Sequence, residues 1–207
     1  LTGTLDRFWY AFRDGCCDCF VMDSRTERRW SDDPKRRKMI SRHQMDALLA
    51  WLNDGSGHVK LVVTSVPFFP DPEADTDDKW AGFLDERTEI LDFILTHKIR
   101  KVVFLSGDVH CSFSVELSCS TDPAFKVISV ISSSFFWPYP HMEESDFCLK
   151  GDLKVATRLK AKLKTTSKYS YRLAKASPVY SVDNFARLDI TPQSIHIAFF
   201  ERKGDPM

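Results

Sequence analysis

The sequence predicts an α/β fold, and three observations carry that expectation. Two short, β-branched and nearly unbroken apolar runs, 59–66 (VKLVVTSV) and 101–106 (KVVFLS), read as strands buried on both faces. Segments with helical apolar spacing, 42–54 and 84–97, precede each of them. The resulting order over residues 19–106 is strand, helix, strand, helix, strand, which is the order of a layered α/β architecture.

Taken along the chain, residues 19–23 (CFVMD) form a short buried strand that ends in polar residues. The charged stretch SRTERRWSDDPKRRK, with Pro34 inside it, is a surface loop. Ser41 caps a helix over 42–54 whose Met45, Leu48, Leu49 and Leu52 share one face, and Gly55 and Gly57 stop it. After the strand at 59–66, Pro67, Pro70 and Pro72 force an irregular loop. Residues 84–97 return to helical spacing, with Leu84, Leu91 and Leu95 beside Ile90 and Ile94. Past 106 the period changes. Phe113, Val115 and Leu117 alternate with polar residues as in a half-exposed strand, 126–132 is a further strand, and 182–190 with 194–200 form a terminal hairpin. Residues 150–175 carry nine cations and one acid, Asp152. Val155, Leu159 and Leu163 recur there at every fourth position, which predicts a basic amphipathic helix. Such a helix either packs on the sheet as an inserted lid or lies on an anionic membrane surface.

Composition excludes several classes. A chain of 207 residues and 23.8 kDa, 43% hydrophobic and 28% charged, is long enough for one globular domain, or at most two small ones, and reads as one domain and not a disordered tail. No apolar run reaches the roughly 18 residues of a transmembrane helix. Basic and acidic residues balance at 29 each, so bulk charge does not argue for a nucleic-acid reader. Three of the six cysteines crowd at Cys16, Cys17 and Cys19 and the others are scattered, which fits reduced thiols better than a disulfide framework. The opening LTGTLDRFWYAFRDG resembles no signal or transit peptide, and its first residue, Leu1, leads to the expectation that the chain is part of a longer product.

The sharpest chemical signal is Gly107-Asp108-Val109-His110 at the carboxyl end of the strand 101–106. Ligands in open α/β sheets bind at that end of the strands. In extended backbone, residues two apart point to the same side, so Asp108 and His110 are expected to face one cavity. A carboxylate oxygen and an imidazole nitrogen are suitable donors to divalent or trivalent ions. Asp23 and Arg25 form a second pair at a strand end, in which Arg25 either offers a bidentate contact to phosphate or anchors its loop on Asp23. His141, with Trp137 and Tyr139 in the aromatic stretch after 126–132, is a candidate for the mouth of a substrate site.

Several segments, in this order, resemble the carboxyl-terminal half of the alkaline phosphatase D (PhoD-like) family, a branch of the metallophosphoesterases: FVMDSRTER (20–28), SRHQMDALLAWL (41–52), DKWAGFLDER (78–87), FLSGDVHCS (104–112) and DNFARLDI (183–190). The resemblance implies the carboxyl-terminal part of a metallophosphoesterase-like sandwich, a mixed sheet with flanking helices. It implies hydrolysis of phosphate mono- or diesters by a metal-bound hydroxide on divalent or trivalent metal ions, iron with calcium or others. It places Asp108 and His110 at the metals and in catalysis, adds Asp78 as a metal-site residue, and puts Trp80 on the pocket wall. Nine acids against Lys79 and Arg87 over 71–92 suit a cation-binding wall. The family's upstream ligand motifs are absent: the GD pairs of this chain are 107–108, 151–152 and 204–205. An incomplete ligand set and little turnover by the bare chain are therefore expected. The alternative function is a non-catalytic module that uses 150–175 for membrane or partner binding.

Overall fold

A computed structural model describes residues 7–74, 77–156, 158–160, 163–165 and 169–207, with backbone alone at 158–160 and 163–165. The strands are β1 (Tyr10–Asp14), β2 (Cys17–Val21), β3 (Val59–Val63), β4 (Val102–Ser106), β5 (Phe113–Cys119), β6 (Asp122–Ile131), β7 (Gly151–Asp152), β8 (Arg158–Lys160), β9 (Leu163–Thr165), β10 (Tyr171–Ala176), β11 (Asn184–Ile190) and β12 (Ile195–Glu201). The helices are α1 (Arg42–Leu52) and α2 (Leu84–Thr96). Eight strands make one mixed sheet in the order β1-β2-β3-β4-β6-β5-β10-β7. Its centre, β2-β3-β4-β6, is parallel, and both flanks are antiparallel. The four parallel strands thus end at one edge, which collects the loops after Val21, Val63, Ser106 and Ile131.

The apolar patterning explains the layers. Met45, Leu48 and Leu52 of α1 and Ile90, Leu91 and Ile94 of α2 bury against one face of the sheet, with Phe20, Val62 and Phe104 beneath them. The opposite face presents Cys17, Cys19, Leu61, Val103 and Val130, and the β11–β12 hairpin covers it with Leu188, Ile197 and Phe199. The helices start as read: the Ser41 hydroxyl accepts the Gln44 amide at 3.1 Å. The prolines at 67–72 do produce irregular backbone, but this loop lies in the core. Phe68 and Phe69 are fully buried, and Phe68 stacks flat on Phe104 with ring centres 3.8 Å apart. No described helix is long and apolar enough to cross a membrane.

The segment 150–175 corrects the predicted helix. Its described residues include four short strands and no helix: β7 and β10 join the main sheet, and β8 pairs with β9. The reason is in the period. Arg158, Lys160, Lys162 and Lys164 recur every second residue with Leu159, Ala161 and Leu163 between them, which is strand alternation. Tyr171 and Leu173 are likewise buried while Arg172 is exposed. The side chains of Leu159 and Leu163 lie outside the described residues.

One buried carboxyl gives a stability test. Glu86, in the first turn of α2, accepts the Met39 amide and ties the 38–40 segment to the helix. Burial pushes its pKa up to about 7, against the pull of the Met39 amide and Lys38. A raised folded value means that the Glu86 contribution is fully present below the unfolded carboxyl range and is lost as pH climbs towards 7. Glu86→Gln is expected to gain stability relative to the parent as pH rises from about 5 to about 8, followed by urea denaturation. A difference independent of pH contradicts the burial of this group.

Candidate functional site

The tip of β4 is not extended. Asp108 (φ 76°) and His110 (φ 54°) both adopt the left-handed conformation, which costs a non-glycine residue free energy and concentrates at functional sites. A side chain at Gly107 would stand 3.4 Å from the Ser132 carbonyl of the neighbouring loop, an ordinary contact, so the turn places its demand on Asp108 and His110 and not on the glycine. The His110 amide donates to Ser133 Oγ at 3.2 Å, which fastens the tip to the loop after β6. This turn corrects the picture of two side chains on one side of a straight strand, and each has its own partners.

The Asp108 carboxylate meets cations. Arg25 Nη2 donates to its Oδ1 at 2.8 Å, and Lys79 Nζ donates to its Oδ2. The same Arg25 guanidinium reaches Asp78 through Nη1, at 3.3 and 3.2 Å from the two carboxylate oxygens. Arg28 pairs with Asp78 as well, and donates to the Asp78 carbonyl at 3.0 Å. Burial raises the Asp78 pKa, and the charges of Arg28, Arg25 and Lys79 outweigh it, so the group sits below the ordinary carboxylate range. Three cations, Arg25, Arg28 and Lys79, therefore surround the carboxylates of Asp78 and Asp108 at the edge where the parallel strands end. Arg25 does not anchor its loop on Asp23. The Asp23 carboxylate instead accepts the amides of Arg25 at 3.2 Å and Thr26 at 2.8 Å, closing a tight turn that leaves the guanidinium free to reach Asp78 and Asp108.

His110 stacks flat on Trp137, ring centres 3.7 Å apart and planes 19° from parallel. His141 approaches it from behind. Its Nδ1 lies 2.6 Å from the His110 carbonyl oxygen, so this nitrogen carries a proton, and its Nε2 is 3.6 Å from Asp183 Oδ1. Asp183 also accepts the Trp137 amide at 2.9 Å and pairs with Arg202 at 3.4 Å. His141 thus contacts the backbone of the tip, and Asp183, which sequence reasoning passed over inside DNFARLDI, joins the 135–141 loop to the terminal hairpin. Trp80 is a clear correction. It is fully buried, donates Nε1–H to Thr64 Oγ1 at 3.0 Å, and packs edge-on against Phe68, so it is core and not pocket wall. The acidic run is corrected too, because several of its described members are already partnered. Asp71 pairs with Arg87, Glu86 takes the Met39 amide, Glu89 pairs with Arg42, and Asp92 accepts the Tyr171 hydroxyl at 2.7 Å.

Asp108, His110 and Asp78 are donors of the right type for a divalent or trivalent ion, but not in sufficient number. Among the described residues no group of three His, Cys, Asp or Glu side chains is placed to hold a metal ion. A closed site takes about four to six donors, and both carboxylates here are held by cations. The described residues therefore do not by themselves fit a dinuclear centre.

The fold that carries this edge is a phosphatase fold. The solved structure of PhoD superposes with a TM-score of 0.62 at 15% identity, over 95% of this chain and 42% of that one. A purple acid phosphatase from yellow lupin (Lupinus luteus) seeds superposes with a TM-score of 0.52 at 9% identity, over 97% of this chain and 31% of that one. The chain thus spans less than half the length of either. The PhoD-like phosphatase profile matches residues 2–173, and the chain belongs to that family. No curated protein matches it.

Proposed function

We propose that the chain takes part in the hydrolysis of phosphate mono- or diesters, and that the cluster at the tip of β4 is its phosphoryl-binding part. The observation that carries this reading is the convergence of Asp78 and Asp108, 53 and 83 positions from Arg25 in sequence, on the one Arg25 guanidinium. A phosphoryl group presents oxygens to a guanidinium with the same fork geometry as a carboxylate. It therefore competes with Asp78 and Asp108 for Arg25 and Lys79. His110 is the imidazole at this tip, suited to ligate an ion or to pass a proton to the leaving oxygen. Family membership and the phosphatase-fold neighbours support the reaction class. Asp108, His110 and Asp78 would be this chain's donors to the iron and calcium that the resemblance implies, and that set needs further donors.

The test is release of 4-nitrophenol from 4-nitrophenyl phosphate and its bis-ester by the whole chain, with iron and calcium supplied. His110→Ala and Asp108→Ala are each expected to lower the rate by at least about 10²-fold, the scale of losing one group at a reacting centre. Turnover unchanged in both variants, or failure of the parent chain to bind phosphate, overturns the proposal.

A further inference from the structure

The loop after β6 carries rings that the phosphoryl-binding cluster does not use. Phe135, Phe136, Trp137 and Tyr139 fall within five residues, and Phe135, Phe136 and Tyr139 are 60, 63 and 66% exposed. Single exposed apolar residues are ordinary, but a contiguous group of rings marks a contact surface. This loop is held firmly. Asp183 fixes the Trp137 amide, the Trp137 ring lies flat on His110, and Tyr139 meets Trp137 at 5.2 Å and 61°. Pro138 and Pro140 restrict the backbone on either side of Tyr139. The rings are therefore set in place next to His110, two residues from the carboxylate that Arg25 and Lys79 hold. Arg202 lies 5.4 Å from the centre of the Phe136 ring and occupies one of its faces, which makes Tyr139 the more available ring. The tip of β4 thus carries the anion-binding cluster at Asp108 and the aromatic shelf at His110, two residues apart, which matches a ligand with a phosphate at one end and a flat ring at the other.

We infer that this shelf binds the ring of an aromatic phosphate ester, an aryl or nucleoside phosphate, with Tyr139 and Phe136 against the ring while the phosphoryl group meets Arg25 and Lys79. The inference rests on the phosphoryl-binding reading of the cluster and adds the identity of the substituent to it. Stacking on an exposed ring needs no sequence of hydrogen bonds and tolerates any flat partner. Phenyl phosphate and adenosine monophosphate separate the aryl from the nucleoside source.

The experiment is calorimetric titration of the whole chain with methyl phosphate, phenyl phosphate and adenosine monophosphate. At least one aromatic ester is expected to bind about tenfold more tightly than methyl phosphate, the scale of one stacking contact. Tyr139→Ala is expected to bring that ratio close to one. Phe12→Ala, which removes a half-exposed ring on β1 three strands from β4, is expected to leave it unchanged. Equal affinity for all three esters overturns the shelf and leaves phosphoryl binding intact. Failure of every ester to bind overturns the phosphoryl-binding reading and the shelf with it. Equal ester affinities together with adsorption to anionic vesicles that Phe135→Ser and Phe136→Ser abolish would assign the rings to a lipid surface and overturn the inference.

Discussion

Arg87→Met is expected to lower the free energy of unfolding by about 3–5 kcal/mol, the cost of removing one partner of a buried ion pair. The Arg87 and Asp71 side chains are 1% and 3% exposed and pair directly. Arg87 also donates to the Phe68 carbonyl at 3.3 Å and the Lys154 carbonyl at 2.6 Å, so one guanidinium ties α2 to the buried proline loop and to the segment leading into β8. Methionine fills much of the same volume but leaves a charged carboxylate and two carbonyl oxygens without these donors. The loss is a large share of the 5–15 kcal/mol (about) that holds a typical domain together. Adding Asp71→Leu to Arg87→Met is expected to return part of the stability, because an apolar pair replaces an orphaned charge. Urea denaturation of the two variants decides the matter. A single-variant loss below about 1 kcal/mol is the scale of an exposed pair and contradicts this burial.

The second large effect concerns activity. Arg25→Ala is expected to reduce kcat/KM for phosphate esters by about 10²–10³-fold. The substitution removes the fork proposed to receive the phosphoryl group and leaves Arg28 and Lys79 paired one to one with Asp78 and Asp108. Arg25→Lys is expected to recover only part of this, since an ammonium is a point charge and cannot span the two directions that the guanidinium now serves. Steady-state kinetics with 4-nitrophenyl phosphate checks both, and a change within twofold for Arg25→Ala contradicts the assignment. The pairing also has a pH window. Asp78 titrates below the ordinary carboxylate range, so the stability it contributes is present above that range and is lost as pH falls through its folded value.

The parts of the fold that were legible are those whose signals are local. The run VVFLS and the Ser41 cap each announce an element within a few residues, and β4 and α1 stand where those signals put them. β1 (YAFRD) was not legible because it is an edge strand exposed along its whole length, held by its ladder to β2 and not by an apolar face of its own. In 150–175 three apolar residues at every fourth position outweighed a two-residue alternation of cations, and the alternation decided the structure. At the candidate site, GDVH marked the strand tip, but no spacing rule reveals two left-handed residues that send Asp108 to Arg25 and His110 to Trp137. Lys79 and Asp183 were missed for the same reason. A lysine beside a tryptophan and an aspartate just before a strand carry no local mark of the partners that the fold brings to them. Trp80 misled in the opposite direction: a tryptophan at the start of a helix after a proline loop reads as rim, and here that loop is itself buried.

The central claim is that Arg25 and Lys79, gathered at the carboxyl end of β4 with Asp78 and Asp108, form a seat for a phosphoryl group. Titration of the whole chain with inorganic phosphate, followed by the phosphorus resonance, tests it without any need for turnover. Saturable one-site binding is predicted for the parent chain, lost in Arg25→Ala and in Lys79→Ala, and retained in Arg187→Ala, whose guanidinium pairs with Asp189 on the terminal hairpin. Binding of equal strength in all four proteins, or in none, contradicts the account.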